Sequence, residues 1–255
     1  MATDHHDTRA ALGKVPAVTL LFWIIKIAAT TLGETAGDAV SMSLGLGYLS
    51  GSAIFAILFA IAVASQIRAR EFRPALYWLT ILATTTVGTT LADFADRSLG
   101  IGYAGGSTLL AVLLLASLAL WKRTLGSIAV GSVATPKAEA FYWATILFSQ
   151  TLGTALGDWT ADSAGFGYTG AMIVFGALLA FVVVLHFATR VPKPLLFWAA
   201  FVLTRPLGAV IGDFLDKPVD DGGLALSRFA ASAALLLVIA ICIAAFPQRA
   251  ARRTH

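Results

Sequence analysis

The chain has 255 residues, of which 58% are hydrophobic and 13% are charged, and its mean hydropathy is +0.83. Soluble domains carry about 25% charged residues, so this composition excludes a soluble globular protein and indicates a polytopic membrane protein. The net charge of +4 does not predict nucleic-acid binding, because Lys and Arg cluster in the loops that flank apolar segments.

Eight apolar segments follow one another, each close to the roughly 20 residues that cross the hydrocarbon core. They are 16–36, 49–67, 74–91, 104–121, 138–156, 168–187, 194–211 and 224–246. They predict an all-α membrane protein of about eight transmembrane helices in one membrane domain, 1–255, with tails at 1–15 and 247–255. The first tail lacks an apolar core with a small-residue cleavage site, so we expect no removable signal peptide.

Basic residues predict the orientation. The two tails and the loops after the even-numbered spans hold 13 of the 18 Lys and Arg residues. The opposite connections hold only Arg97, Lys217 and Arg228. Because basic loops remain in the cytoplasm, both tails are predicted to be cytoplasmic.

Four copies of one two-helix unit make up the chain, at about 16–67, 74–121, 136–187 and 194–246. In each copy a Trp is followed by Gly ten residues later and by Asp fifteen residues later. The tryptophans are Trp23, Trp78, Trp143 and Trp198, the glycines are Gly33, Gly88, Gly153 and Gly208, and the aspartates are Asp38, Asp93, Asp158 and Asp213. Because each unit contains two spans, the copies form a parallel repeat.

Two flanking features extend the repeat. A proline begins each copy, at Pro16, Pro74, Pro136 and Pro194. Proline is typical of helix starts and tryptophan of the headgroup region, so both are expected near the cytoplasmic interface. After the aspartate, a Gly-x-Gly-Tyr turn ends at Tyr48, Tyr103 and Tyr168, and the fourth copy lacks it.

This fourfold pattern resembles a family of bacterial integral membrane proteins that carry a repeat of unknown function and are described as uncharacterised membrane-anchored proteins. The resemblance covers essentially all of the chain after Lys14. It rests on the G-x-x-x-(G/A)-D cores at 33–38, 88–93, 153–158 and 208–213 and on the Gly-Tyr turns. It implies a repeat fold in a bacterial inner membrane, and no chemistry.

A polar stripe runs along each odd-numbered span, because residues four apart lie on one helix face. The stripes are Lys26, Thr30, Glu34 and Asp38; Ile81, Thr85, Thr89 and Asp93; Ile146, Gln150, Thr154 and Asp158; and Phe201, Arg205, Ala209 and Asp213. Ile81, Ile146 and Phe201 would form an apolar constriction toward the cytoplasm. The even-numbered spans are nearly free of ionisable groups, which is typical of helices that face lipid or pack.

Small residues beside the stripes predict close helix packing. The pairs are Gly33 with Gly37, Gly88 with Ala92, Gly153 with Gly157, and Gly208 with Gly212. The stripe threonines are individually weak functional candidates, since a threonine within a span usually hydrogen-bonds its own helix backbone.

The carboxylates are the candidate ion or proton site. A helix C-terminus disfavours a carboxylate, so Asp38, Asp93, Asp158 and Asp213 require a reason, which is either capping at the interface or binding. With Glu34 they exceed Lys26 and Arg205 by three charges, a surplus that protons, a bound cation or outer-side arginines must meet. Oxygen ligands favour hard cations such as Mg²⁺, Ca²⁺ or Mn²⁺, and no other cofactor is predicted. Lys26 and Arg205 are pathway residues or members of a buried ion pair.

The leading functional hypothesis is a transporter or permeation protein for a small cation or a proton-coupled solute. A non-transporting scaffold or sensor is the main alternative. A channel is less favoured because the ten residues from Asp to Tyr are too few for a pore helix and filter. An intramembrane aspartyl enzyme is disfavoured because there are four equivalent aspartates, and we expect no enzyme. The expected partners are the lipid bilayer, a small ion or solute and, as an open alternative, further copies of the chain.

Overall fold

A computed structural model describes residues 12–252, and the ends of the two predicted tails, 1–11 and 253–255, lie outside this range. The described residues form eight long helices and one pair of short strands. The helices are α1 (Leu20–Asp38), α2 (Gly47–Arg68), α3 (Pro74–Asp93), α4 (Tyr103–Leu125), α5 (Pro136–Asp158), α6 (Gly167–Ala188), α7 (Lys193–Asp216) and α8 (Arg228–Ala245). The strands are β1 (Leu12–Pro16) and β2 (Ala250–Arg252).

The four odd-numbered helices form a closed inner ring. Helix α1 packs against α3, α3 against α5, α5 against α7, and α7 against α1. Each of these helices buries between 12 and 15 residues. The polar stripes therefore lie on helices that surround a common interior.

The even-numbered helices lie outside this ring. Each packs against the odd-numbered helix that follows it: α2 against α3, α4 against α5, and α6 against α7, while α8 returns to α1 and completes the circle. They bury at most three residues each. Large exposed side chains such as Ile57, Leu115, Phe181 and Leu237 cover their outer faces, as expected for helices in contact with lipid.

Seven of the eight helices in residues 12–252 are long and apolar enough to cross a membrane. The exception is α5, which has 23 residues like α4 but carries Lys137, Glu139 and Gln150. Lys137 is exposed, Glu139 pairs with Lys14 at 2.6 Å, and Gln150 is buried inside the ring. The chain is an all-α polytopic membrane protein, as the sequence predicts.

The connections after Asp38, Asp93 and Asp158 share one backbone conformation. Each aspartate ends an α-helix, and five residues of π-helix follow, at Ala39–Ser43, Phe94–Ser98 and Trp159–Ser163. The Gly-x-Gly turn comes next, and both of its glycines have positive φ, for example 67° at Gly100 and 75° at Gly102. Side chains disfavour this conformation, so the glycines are needed for tight turns into the next helix. We call this the aspartate end of the bundle.

A cap closes the opposite end, which we call the termini end. Strands β1 and β2 pair antiparallel, with Leu12 opposite Arg252. The connection between α4 and α5 lies beside them, since the Lys14 amide donates to the Val133 carbonyl at 3.0 Å. Lys14 also forms a 2.6 Å ion pair with Glu139. The sequence did not predict this strand pair. In the structure Pro16 lies in β1, whereas the other three repeat prolines occupy the first or second position of a helix.

An aromatic layer fills the ring beneath this cap. Trp78, Trp143 and Trp198 are buried in one hydrophobic cluster together with Tyr77 and Tyr142. The two tyrosine hydroxyls share a 2.6 Å hydrogen bond. These three side chains pack inward and not toward headgroups, and their expected depth near the cytoplasmic interface stays a prediction.

Candidate functional site

Glycines set the register between neighbouring inner helices. Gly33 lies against Thr85 of α3, Gly88 against Gln150 of α5, Gly153 against Arg205 of α7, and Gly208 against Thr30 of α1. These partners occupy the same stripe position in their own copies. The small residues pack closely. The same contact recurs from each copy to the next and from the fourth copy back to the first, so the four copies are related by pseudo-fourfold symmetry.

The second residue of each small pair continues this register toward the aspartate end. A Cβ at Gly212 would lie 2.7 Å from the Glu34 Cβ, and one at Gly37 would lie 3.1 Å from a Thr89 methyl carbon. Gly157 faces Ala209 in the same way. Such close backbone approach brings the four stripes together around the axis.

Six carboxylates gather at the aspartate end, and we call them the aspartate cluster: Glu34, Asp38, Asp93, Asp158, Asp213 and Asp216. All are buried. Their oxygens form three groups, each with atoms within 4.8 Å of one another: Glu34 with Asp38 and Asp93; Glu34 with Asp158 and Asp213; and Asp38 with Asp213 and Asp216. Each group offers three carboxylate oxygens, which are ligands of the kind that hard cations prefer.

Two basic residues bridge the aspartates in a twofold pattern. Arg97 pairs with Asp93 of its own copy at 2.9 Å and with Asp158 of the next copy at 3.7 Å. Lys217 pairs with Asp213 of its own copy at 3.1 Å and with Asp38 of the next at 2.7 Å. Each basic residue comes four positions after its own aspartate, in the second and fourth copies. The ring is therefore fourfold in its packing and twofold in these ion pairs.

Further contacts hold this end together. Arg228, at the start of α8, pairs with Asp216 at 2.9 Å and approaches Asp38 at 3.8 Å. Burial lowers the pKa of Lys217, but the carboxylates of Asp213 and Asp38 raise it more, so the pKa lies above its ordinary value. Lys217 is thus held in its charged form.

One buried ion pair joins the neighbouring helices α7 and α1 inside the ring, one helical turn deeper than the aspartates. The Arg205 Nη2 donates to Glu34 Oε2 at 2.9 Å and also to the hydroxyls of Thr89 and Thr154. These four residues come from the four different inner helices. Arg205 is fully buried and Glu34 is 3% exposed. The buried ion pair that the sequence left open for Arg205 is present.

The remaining stripe residues divide into two groups. Thr30, Thr89 and Thr154 each donate to the backbone of their own helix, as the sequence predicts for threonines in spans. Thr85 Oγ1 and both amide atoms of Gln150 are buried and have no hydrogen-bond partner within residues 12–252.

Lys26 is the deepest charged residue of the stripes. It is fully buried, and its Nζ has no hydrogen-bond partner in the described part of the chain. The ammonium lies 4.2 Å from the centroid of the Phe201 ring. Phe201, Ile81 and Ile146 are themselves fully buried in the cluster that contains the aromatic layer, so the apolar constriction expected at this level closes the interior toward the termini end.

The basic partners of the aspartates were missed as site residues. The sequence analysis places Arg97, Lys217 and Arg228 in the connections opposite the tails, and the structure shows that Arg97 and Lys217 reach back by one helical turn to their own aspartates. The i, i+4 spacing of Asp93 with Arg97 and of Asp213 with Lys217 was the available signal. The charge surplus expected of the stripes is thus met in large part by these basic residues.

Comparison with known proteins gives one assignment. No curated protein and no solved structure matches the chain. The pattern of the family described as "Repeat of Unknown Function (DUF347)" matches four times, at residues 21–72, 76–127, 141–191 and 196–250. These matches cover most of the chain and agree with the four structural copies. The chain is therefore a four-repeat member of the DUF347 repeat family.

Proposed function

We propose that this protein is a transporter for a small cation or a proton-coupled solute, and that the ring interior is its pathway. The observation that supports this proposal is the convergence of Glu34, Asp38, Asp93, Asp158 and Asp213 from all four inner helices on one buried interior. Ionisable groups inside a membrane bundle are costly, and they mark ion and proton pathways. A bundle that served only as a scaffold could hold its helices together with glycines and apolar side chains.

The charge balance favours protons or a cation as the coupling species. Six carboxylates of the aspartate cluster face four basic residues, which are Arg97, Arg205, Lys217 and Arg228. If all are ionised, two negative charges remain, and two protons or one divalent cation would neutralise them. Carboxylates that lie this close do not remain ionised together without a counter-ion or a proton.

Closure at the termini end favours a transporter over an open channel. The aromatic layer, the constriction at Ile81, Ile146 and Phe201, and the strand cap lie between the cluster and that end. A solute that enters at the aspartate end would need a rearrangement of the ring or cap to leave. The positive-inside rule supports the proposal that the termini end faces the cytoplasm of a bacterial cell, and the pathway would then open to the outside.

The ion pairs also favour transport over proteolysis. A catalytic aspartate dyad shares one proton between two carboxylates. Here Asp38, Asp93, Asp158 and Asp213 are each in contact with Lys217 or Arg97. We therefore propose no enzymatic role.

Flux measurements test the proposal. The purified protein, reconstituted in liposomes with a pH-sensitive dye inside, should move protons together with one member of a panel of ions and small solutes. The quadruple variant with Asp→Asn at residues 38, 93, 158 and 213 keeps side-chain size and should lose this flux. An Asp220→Asn variant is the control, because Asp220 is exposed in the connection outside the ring. Unchanged flux and pH dependence in the quadruple variant would make the aspartates structural.

A non-transporting scaffold or sensor predicts a different result. It would show no flux with any member of the panel, while the cluster still contributed to thermal stability.

A further inference from the structure

The ring contains a second polar layer that the aspartate cluster does not explain. Lys26, Thr85, Gln150 and Arg205 point from the four inner helices at the two deepest polar levels of the stripes, and all are fully buried. Their unsatisfied atoms, among residues 12–252, are Lys26 Nζ, Thr85 Oγ1, both amide atoms of Gln150, and Arg205 Nε and Nη1. Buried polar atoms in proteins normally have partners, so this concentration requires an occupant.

The register of the ring places Thr85, Gln150 and Arg205 at one level, with Lys26 at the level below. The glycine contacts relate Thr30, Thr85, Gln150 and Arg205 by the same step around the axis. Lys26 comes four residues before Thr30, one helical turn or about 6 Å toward the termini end. The layer therefore extends from Arg205, which also pairs with Glu34, down to Lys26, which lies at the level of the constriction formed by Ile81, Ile146 and Phe201.

The unsatisfied atoms are mainly donors. Lys26 has three N–H groups, Gln150 contributes an NH₂ group, and Arg205 has N–H groups on Nε and Nη1. Acceptors from water or a ligand would satisfy them. Neutral amides alone would suit water as well as a ligand, so the charge of the layer decides the class of ligand.

With Lys26 protonated, that charge is positive. Glu34 neutralises Arg205 through its 2.9 Å ion pair, whereas no carboxylate in the described residues forms an ion pair with Lys26. The Phe201 ring, 4.2 Å away, compensates the ammonium only in part. One positive charge remains in an otherwise donor-rich layer.

We propose that the layer formed by Lys26, Thr85, Gln150 and Arg205 binds a small monovalent anion, with Lys26 as its counter-ion. This inference rests on the proposed transport function, and it names the substrate class: an anionic solute, carboxylate or inorganic, coupled to the protons or cation of the aspartate cluster. The two layers bind ions of opposite charge: the outer carboxylates bind protons or a cation, and the inner donors bind the anion. The pair of Arg205 with Glu34 separates them.

Anion-dependent thermal stability tests the proposal without requiring transport. The purified full-length protein in detergent at pH 7 is titrated with the potassium salts of chloride, nitrate, formate and acetate. Potassium gluconate keeps the ionic strength constant, and its bulky anion is a size control. We expect at least one of the small anions to raise Tm saturably, by about 5 °C, and gluconate to have no such effect.

Two variants locate the effect. Lys26→Met keeps an unbranched side chain without the charge, and it should abolish the saturable rise in Tm. Lys122→Met is the matched control, because Lys122 is exposed near the end of α4, and it should keep the rise. Gln150→Met is a second test that leaves the charge of Lys26 in place, and it should weaken anion affinity at least tenfold.

The contrary results are equally definite. If none of the anions raises Tm saturably in the wild-type protein, or if Lys26→Met and Gln150→Met both respond like wild type, the layer binds no anion and water fills it. Transport is judged separately: proton flux without anion stabilisation overturns only the anion site. Anion stabilisation without flux of any solute overturns only the transporter.

Discussion

Arg205 and Glu34 join the last inner helix to the first through a 2.9 Å ion pair between Nη2 and Oε2. Neither residue has an equivalent in the other three copies, where threonine, glutamine or alanine occupies the same positions. The pair lies at the contact between α7 and α1, where the ring closes. These two helices lie far apart in the chain, so no short connection holds them together. A specific polar interaction therefore stabilises this contact more than it would the others.

Breaking this pair should destabilise the protein strongly. Arg205→Met leaves Glu34 buried without its partner, which costs about 3–5 kcal/mol. The double variant Arg205→Met with Glu34→Gln removes both charges and should recover more than half of the loss. Thermal unfolding in detergent measures both. Losses that simply add in the double variant would show that the two charges do not depend on each other.

A methyl group added to a glycine should destabilise the protein on an inner helix and not on an outer helix. In Gly208→Ala the new Cβ would overlap Thr30, including its carbonyl carbon at 3.0 Å, and we expect a loss of about 1–3 kcal/mol. In Gly176→Ala, on outer helix α6, the Cβ meets no atom of the described residues within 4 Å. Because alanine favours helix over glycine, this control should gain up to about 1 kcal/mol. Equal effects in the two variants would contradict the close packing of α7 on α1.

Removal of one partner of the Tyr77–Tyr142 hydrogen bond should destabilise the protein, because the other hydroxyl stays buried. Tyr77→Phe leaves the Tyr142 hydroxyl buried without that partner and should destabilise the protein by about 1–2 kcal/mol. The double variant Tyr77→Phe with Tyr142→Phe should be at least as stable as the single variant. If Tyr77→Phe has no effect, water has replaced the lost hydroxyl and the aromatic layer is wetter than its packing indicates.

Topology can be tested by cysteine labelling in a Cys242→Ser background. Leu46, Ile101, Phe166 and Asp220 are exposed at the aspartate end, one in each copy. Single cysteines at these positions should react with an impermeant maleimide added to intact cells, because the positive-inside rule predicts that this end lies outside. Labelling only after the membrane is permeabilised would reverse the orientation.

Local periodicity explains how much of the fold the sequence predicts. Step-of-four stripes, small-residue pairs and repeated Trp, Gly and Asp positions depend on helix geometry alone, so they predict helices, copies and inner faces. They also predict that Gly33 and Gly208 each lie at a close contact with a neighbouring helix. They do not predict which helix meets which glycine, because the cyclic order appears only when α8 is seen to return to α1.

The ion pairs were harder to predict because their partners lie outside the stripes. Arg97 and Lys217 lie on connections between spans in the sequence, and their contacts with the aspartates follow from the π-helical turn after Asp93 and the extension of α7 to Asp216. The strand cap was not predictable from hydropathy, since β1 has five residues and β2 has three. Two strands of that length form only when the bundle brings them together.

The pairing of β1 with β2 makes the order of the four copies along the chain dispensable. Leu12 lies opposite Arg252, and α8 completes the circle on α1, so a short peptide could join the two ends without moving a helix. New ends could be opened between Arg70 and Glu71, which are exposed in the α2–α3 connection. Such a circular permutant would read copies two, three, four and one, and it would keep Glu34 opposite Arg205. The contact between Glu34 and Arg205 therefore depends on where the two copies lie in the ring, and their order along the chain could change without breaking it.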